Sequence, residues 1–188
     1  MSPDRVNICR WMDAAASGDD AAFGRLASAV QDDLYRFALA HGLGRDDAAE
    51  ATQETLLRAY QRRAQWRRGS DAMVWLWGIC MNVVREMRRR RGSDPVQGLD
   101  LDVLTFRADA GPMDEGNLAD LLAAVERLPA RQREAVTCRY LRRLSVRETA
   151  AVMGCAEGTV KAAVAAALAN LRGRLRLDGS RKMDDEHD

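Results

Sequence analysis

The sequence has few of the residues that turn-rich β folds require. Only 4 prolines occur among its 188 residues, β-branched residues are sparse, and no alternation of polar and apolar residues lasts long enough to predict a strand. Apolar residues make up 47% of the chain, and alanine, the residue of highest helix propensity, dominates them. We therefore expect an all-α protein rather than a β fold.

The chain is also short of metal-ligating and catalytic side chains. Its histidines and cysteines are isolated from one another, with no C-x-x-C pair: His41, His187, Cys9, Cys80, Cys138 and Cys155. Neither a zinc site nor a cofactor is expected from this spacing. No nucleophile with a base and no paired acids can be picked out, so an enzyme is not predicted. We interpret the cysteines as buried thiols in a reducing compartment and His41 as a helix cap.

No long hydrophobic run is present either. The longest, residues 73–84, is interrupted by Gly78 and Asn82 and is too short to span a bilayer. The N-terminus lacks the basic start and apolar core of a signal peptide. We expect a cytoplasmic location and no membrane insertion.

The net charge of +1 conceals an uneven distribution along the chain. Residues 58–91 hold ten arginines and two acids, residues 92–117 hold six acids and one arginine, and residues 118–177 hold eleven basic residues and five acids. Two basic blocks are therefore separated by an acidic spacer. Basic helices attract phosphate groups, although solvated helix faces produce the same pattern.

Apolar periodicity predicts a first helical domain over residues 10–91. Its three predicted helices cover residues 19–40, 47–65 and 72–90, and glycine-containing loops separate them. On the third helix Trp75 and Trp77 cannot both face the same side, and we assign Trp75 to the core because it matches the family pattern described below.

The rest of the chain divides into a linker, a second domain and a tail. Residues 92–117 carry glycine and proline without any period, which predicts a flexible acidic linker. A second helical domain is predicted over residues 118–177, where Pro129 opens a helix. Residues 178–188 are predicted to be a disordered tail.

A helix-turn-helix pattern lies within the second domain. Ser145 and Glu148 have the spacing of a capping box, and Gly154 stands where a tight turn needs a positive φ. A second helix follows with an apolar stripe that includes Val160, Ala167 and Leu171. Such a unit can place a recognition helix in the DNA major groove, although an ordinary helical hairpin has similar features.

Several segments, in the right order, resemble sigma factors of RNA polymerase. Residues 47–54 read D-A-A-E-A-T-Q-E and residues 57–60 read L-R-A-Y, close to the D-A-E-D-x-x-Q-E-x-x-x-x-A-W pattern of region 2. Trp66-Arg67-Arg68-Gly69-Ser70 is similar to F-R-G-x-S of the same region. Residues 128–135 read L-P-A-R-Q-R-E-A, like the opening of region 4. With no region 3 between them, the pattern is that of the extracytoplasmic-function (ECF) group.

The resemblance implies partners and a role for each surface. Core RNA polymerase, through its beta-prime and beta subunits, promoter DNA and an anti-sigma factor are the expected partners. The polar face of the second helix would dock on the beta-prime coiled coil, through Asp47, Glu50, Gln53, Glu54 and Arg58. The following loop and helix would hold the melted −10 strand by stacking and charge, through Arg62, Trp66, Arg67, Arg68, Ser70, Asn82, Arg85, Arg88 and Arg89.

The recognition helix departs from the family pattern. Where the family reads G-T-V-K-S-R-L-x-R-A, residues 158–167 read G-T-V-K-A-A-V-A-A-A. Alanine can offer only a methyl contact to thymine, so we expect weak reading of the −35 bases. Phosphate positioning would remain, through Arg142, Arg143, Arg147, Thr159, Lys161 and Arg172.

Two other functions stay open on the sequence alone. The alanine-rich helix also suits a sigma mimic that titrates an anti-sigma factor and does not touch DNA, although the arginines near residues 66–68 and 88–91 argue against it. A helix-turn-helix regulator that binds duplex DNA without polymerase is the second alternative. Transcription with core polymerase separates all three.

Overall fold

The computed structural model describes residues 5–90, 121 and 123–184, with side chains as far as residue 173. These residues contain helices and no strand, and they form two compact units. The predicted linker, residues 92–117, lies outside them. In the first unit α1 is Arg5–Ala16, α2 is Asp20–Ala40, α3 is Arg45–Arg62 and α4 is Ala72–Arg90, with a 3-10 turn at Arg63–Gln65.

Helix α1 was not predicted from the sequence, and it begins five residues before the predicted start of the first domain. Ile8, Met12 and Ala15 lie on one side of it and are buried, so its apolar spacing of three and four residues is that of a helix which packs on a core. The helix is short and charged residues lie between its apolar ones, so this period does not stand out in the sequence. Gly18, with φ of +100°, makes the turn into α2.

Helix α2 is the central element of the first unit, and its bounds match the prediction. Asp19 caps it, because its Oδ1 accepts a hydrogen bond from the Ala22 N–H at 2.8 Å. At the other end His41 is the C-cap residue, as predicted. His41 is also fully buried; its Nδ1 lies 2.7 Å from the Phe37 carbonyl oxygen.

The assignment of the α4 tryptophans was wrong. Trp77 is 5% exposed and stacks on Phe37 at 6.1 Å, whereas Trp75 is half-buried. The buried positions of α4 include residues 73, 76, 77, 80, 84 and 87, spaced three or four apart, and residue 75 lies off that stripe. At this position the spacing of the apolar residues, and not the match to the family motif, identifies the buried tryptophan.

The second unit contains most of the three helices described after Pro129. They are α5, Ala130–Val136, which continues as a π-helical segment, Thr137–Leu141; α6, Val146–Met153; and α7, Glu157–Asp184. A turn of helix at residues 123–126 precedes them. Helix α7 covers most of the segment predicted to be a disordered tail. Among residues 178–184 Gly179 has the lowest helix propensity, and one glycine costs about 1 kcal/mol without ending a helix.

The side chain of Arg133 organises the start of this unit. It is 4% exposed, and its Nη2 donates to the carbonyl oxygens of Glu126 at 2.7 Å and Leu128 at 3.1 Å. These carbonyls stand at the end of the preceding helical turn, where intrahelical partners run out. Within the motif at residues 128–135, Arg133 is therefore a buried helix cap.

The capping box predicted for α6 is present. The Glu148 N–H donates to Ser145 Oγ at 3.1 Å, and the Ser145 N–H donates to Glu148 Oε2 at 2.7 Å. Gly154, with φ of +64°, makes the turn between α6 and α7. Both local signals of the helix-turn-helix pattern are thus confirmed.

No single helix in the described ranges is both long and apolar enough to cross a bilayer. Only the sharply bent pair Val146–Met153 and Glu157–Gly173 has the required length and composition when its two members are joined.

Candidate polymerase and nucleic-acid interfaces

The outer face of α3 combines polar groups with one exposed apolar side chain. Glu50 and Gln53 are exposed, and Leu57, one helical turn further, is 52% exposed. Residues at this spacing share a helix face. The sequence prediction included Glu50 and Gln53 but missed Leu57. A leucine off the buried stripe is the signal that could have revealed it.

Three other residues predicted for this face have partners within the unit or are buried. Asp47 is 6% exposed. Arg58 donates from Nε to Glu54 at 2.6 Å and from both terminal nitrogens to Glu86 of α4 at 2.9 and 2.8 Å. The hydrogen bond from Arg58 lowers the pKa of Glu86, and those from Glu86 and Glu54 raise the pKa of Arg58. Arg58 therefore joins α3 to α4, and its charge is already matched by two carboxylates.

Trp66, expected to stack on an unpaired base, is 7% exposed. Its Nε1 donates to Asp13 Oδ1 of α1 at 2.7 Å, and the edge of its ring meets Trp75 at 5.7 Å between centroids. A buried indole with its N–H satisfied is an anchor of the fold. In this structure Trp66 is not placed to stack on a base.

The other predicted residues of this loop lie at the surface. Arg67, Arg68 and Ser70 are exposed, as is Arg62 at the end of α3. Arg68 donates to Ser17 Oγ at 2.5 Å. The turn is made by Gly69, whose φ of +82° an L side chain rarely adopts. The loop thus presents guanidinium groups without an exposed aromatic ring.

The polar face of α4 continues from the loop. Asn82 and Arg89 are exposed, and Arg85 and Arg88 are half-buried. Arg88 reaches the carbonyl oxygen of His41 at 3.5 Å. Glu86 is the only acid in α4, and its bidentate pairing with Arg58 offsets its charge. The exposed side of α4 is therefore cationic.

On the second unit, the predicted phosphate contacts surround the helix-turn-helix. Arg143, Arg147, Thr159, Lys161 and Arg172 are exposed, and Arg142 is half-buried. Arg143 has a φ of +52°, in the left-handed region that a residue other than glycine seldom occupies. This backbone turns the chain between the π-helical segment and α6.

The exposed positions of α7 that follow Lys161 are alanines. Ala162, Ala165, Ala166 and Ala169 are exposed, whereas Val160, Ala167 and Leu171 are buried. The next exposed polar residue, Asn170, donates from Nδ2 to Gln132 Oε1 at 2.7 Å. The stretch of α7 available to a DNA groove therefore has methyl groups at its surface.

Comparison with known proteins assigns both units. The model for sigma-70 region 2 matches residues 26–93, and the model for sigma-70 region 4 matches residues 118–171. The ECF sigma factor BldN of Streptomyces coelicolor is 34% identical over 84% of this chain and 62% of its own length. The ECF sigma factor EcfG of Rhodopseudomonas palustris is 31% identical over 78% of this chain and 81% of its own length.

The chain belongs to the ECF group of sigma-70 RNA polymerase sigma factors. A solved structure of the sigma factor RpoE with the anti-sigma factor NepR, from Bartonella quintana, supports the same fold. It is 29% identical, with a TM-score of 0.63, and the match covers 83% of this chain and 98% of that one. The family resemblance and the all-α fold class expected from the sequence are confirmed.

This sigma factor therefore acts in transcription initiation: it binds core RNA polymerase and promoter DNA. Its region 2 carries the α3 face, the loop and α4, and its region 4 carries the helix-turn-helix. In the described parts of the chain no three His, Cys, Asp or Glu side chains are grouped so as to hold a metal ion.

Proposed function

We propose that region 2 uses two separate surfaces, an α3 face for core polymerase and a cationic α4 face for the melted −10 strand. The observation that carries this division is the Arg58–Glu86 pair. It removes one arginine from the α3 face and one uncompensated carboxylate from the α4 face. The α3 face is left acidic and the α4 face basic, as their proposed partners require.

Docking on polymerase would depend on a small mixed patch of α3. The docking patch, as we call it, consists of Glu50, Gln53 and Leu57. An exposed leucine flanked by an acid and an amide suits a protein surface that is basic with an apolar centre. Because Asp47 is buried and Arg58 is paired, we assign them to the support of the patch rather than to contact with the beta-prime subunit.

Strand capture would depend on guanidinium groups. Arg67 and Arg68 of the loop lie before α4, whose exposed side carries Asn82 and Arg89. Arginine planes can stack on unpaired bases and also follow the phosphate backbone. Trp66 is left out of this set, since its ring is buried and its N–H is engaged.

Region 4 would rest on upstream duplex mainly through phosphate contacts. Arg147, Thr159 and Lys161 are exposed around the turn, whereas the exposed part of the recognition helix is alanine. Phosphate contacts position a protein but carry no base information. We therefore propose weak −35 discrimination and promoter choice through the −10 element.

An anti-sigma factor is a proposed regulatory partner, because the related RpoE is solved in complex with the anti-sigma factor NepR. We also propose that this sigma factor acts without catalytic chemistry of its own and in the cytoplasm, where its polymerase would be.

The proposal is tested by strand opening with bacterial core polymerase. A fluorescent base in the non-template −10 strand should brighten when the full chain is added to core. Arg67→Ala and Arg89→Ala should slow this opening, whereas Arg25→Ala, which removes an exposed arginine of α2, should not. A chain that binds an anti-sigma factor but opens no promoter would contradict the proposal and favour the sigma mimic. Duplex binding without any effect of core would favour a polymerase-independent regulator.

A further inference from the structure

A row of α1 side chains follows the loop that connects α3 to α4. Arg5, Cys9, Asp13 and, just past the helix end, Ser17 recur at intervals of four residues. Each of them contacts a residue of the segment 66–71. We call these four residues the α1 brace; they lie before residue 26, where the match to the region 2 model begins.

Polar contacts make up the brace. Arg5 pairs with Asp71 at 3.3 Å, and Cys9 Sγ lies 3.7 Å from the Ser70 carbonyl oxygen. Asp13 accepts from Trp66 Nε1 at 2.7 Å, and Ser17 accepts from Arg68 at 2.5 Å. Polar contacts of this kind have directional geometry, so they specify where the loop lies as well as keeping it attached.

The contact between Asp13 and Trp66 has the most buried donor of the four. Trp66 is 7% exposed, and a buried indole N–H that loses its acceptor becomes costly. At the other end of the loop, Asp71 pairs with Arg5 and also accepts from the N–H groups of Met73 and Val74 at 2.9 and 3.1 Å. The brace therefore holds both ends of the segment that presents Arg67.

We propose that the α1 brace sets the conformation of the loop for strand capture and that Asp13 is its main positioning residue. The proposal rests on the function assigned to the loop above. Asp13 acts through Trp66 and touches no DNA. With the brace intact the exposed guanidinium groups are held in one arrangement, which reduces the ordering cost of binding an unpaired base. Without it the loop samples several arrangements and discriminates less between −10 sequences.

The test compares Asp13→Ala, Asp13→Asn and Trp66→Phe in the full chain bound to core polymerase. Asparagine keeps an oxygen acceptor for the indole, and phenylalanine keeps a ring but has no N–H. Asp32→Ala is the matched control, since Asp32 is an exposed carboxylate of α2 rather than of α1. Two readouts are taken: the rate of strand opening, and the ratio of opening rates between strong and weak −10 sequences.

We expect Asp13→Ala and Trp66→Phe each to lower the opening rate on the strong promoter about three- to ten-fold, in line with the net contribution of a typical hydrogen bond. Both substitutions should bring the ratio of opening rates on strong and weak −10 sequences closer to one. The double variant should open promoters no more slowly than either single variant. Asp13→Asn should retain most of the ratio. Loss of folded protein alone would lower every rate equally and leave the ratio unchanged.

Two outcomes overturn the proposal, and both can be told apart from a failure of the function assigned to the loop. In the first, the ratio of opening rates on strong and weak promoters is the same for Asp13→Ala as for Asp32→Ala. In the second, the fold-decrease in the opening rate of the double variant is the product of the fold-decreases of the single variants. If instead the unmodified chain opens no promoter at all, the function assigned to the loop fails first.

Discussion

Arg58 of α3 and Glu86 of α4 lie 28 residues apart in the sequence and form a bidentate ion pair, with N–O distances of 2.9 and 2.8 Å. Both side chains are partly shielded from water, with 21% and 31% of their surface exposed. The pair therefore joins the helix that carries the docking patch to the helix that carries the cationic face.

Glu86→Gln should destabilise region 2 by about 1 kcal/mol, because a charge-assisted hydrogen bond is replaced by a neutral one. Urea unfolding of the full chain at pH 7 measures this. Glu50→Gln, at an exposed position of α3, is the matched control and should change stability by less than about 0.5 kcal/mol. Equal effects of the two substitutions on the free energy of unfolding would show that the Arg58–Glu86 pair does not stabilise region 2.

The same pair predicts a pH dependence. Arg58 holds the pKa of Glu86 below its ordinary value, so the folded state favours the ionised carboxylate. The resulting stability is complete above the ordinary carboxyl pKa and is lost as the pH falls through the folded value. The stability difference between the unmodified chain and Glu86→Gln should therefore stay constant from pH 7 down to near the ordinary carboxyl pKa and shrink as the pH falls below it. A constant difference would contradict the assignment.

Leu57→Asp should weaken binding to core polymerase at least about ten-fold, since burial of one leucine side chain at an interface is worth about 1.5–3 kcal/mol. The unfolding temperature should stay unchanged, because Leu57 is 52% exposed in the free chain. Anisotropy of a labelled chain titrated with core measures the affinity. Val6→Asp, which changes the exposed valine of α1, should bind core polymerase as tightly as the unmodified chain does. If Val6→Asp weakens binding as much as Leu57→Asp, the assignment of Leu57 to the docking patch is wrong.

Arg133→Ala should lower the stability of region 4 by about 2–4 kcal/mol, because a buried guanidinium group that satisfies two carbonyl groups is lost. Arg133→Lys should recover little, since an ammonium group cannot reproduce the planar fork. Thermal unfolding followed by circular dichroism measures both. Arg127→Ala, at an exposed position one residue before Leu128, is the control. If it destabilises region 4 as much, Arg133 has no special role.

Ala165→Arg should strengthen the binding of the full chain to duplex DNA and steepen its dependence on salt by about one unit, as expected for one added phosphate contact. Ala165→Glu should weaken binding at low salt. If neither substitution changes affinity, the exposed alanine face of α7 does not approach DNA, and region 4 binds by another surface.

The sequence predicted the parts of the fold in which local signals agree. The bounds of α2 and α4 follow from apolar periodicity, and the capping box formed by Ser145 and Glu148 follows from local hydrogen-bond chemistry. These features need no knowledge of distant residues. Helix α1 was missed because its three buried residues among charged neighbours formed too weak a period.

Contacts between distant residues could not be predicted in the same way. The resemblance to sigma factors predicts that Arg58 binds polymerase and that Trp66 binds DNA. Their partners, Glu86 and Asp13, lie 28 and 53 residues away, and nothing in the local pattern pairs them. Leu57 is a different case: its position off the buried stripe of α3 is a local signal, but only the packed structure shows that 52% of this residue is exposed.

We propose that region 2 selects promoters while region 4 mainly positions DNA. Transcription by core polymerase with the full chain, on a promoter library randomised at both the −10 and the −35 elements, measures this division directly. We expect transcripts that depend on the added chain, with base preference concentrated at −10 and nearly flat at −35. A −35 preference as strong as that at −10, or no transcription above that of core alone, would contradict it.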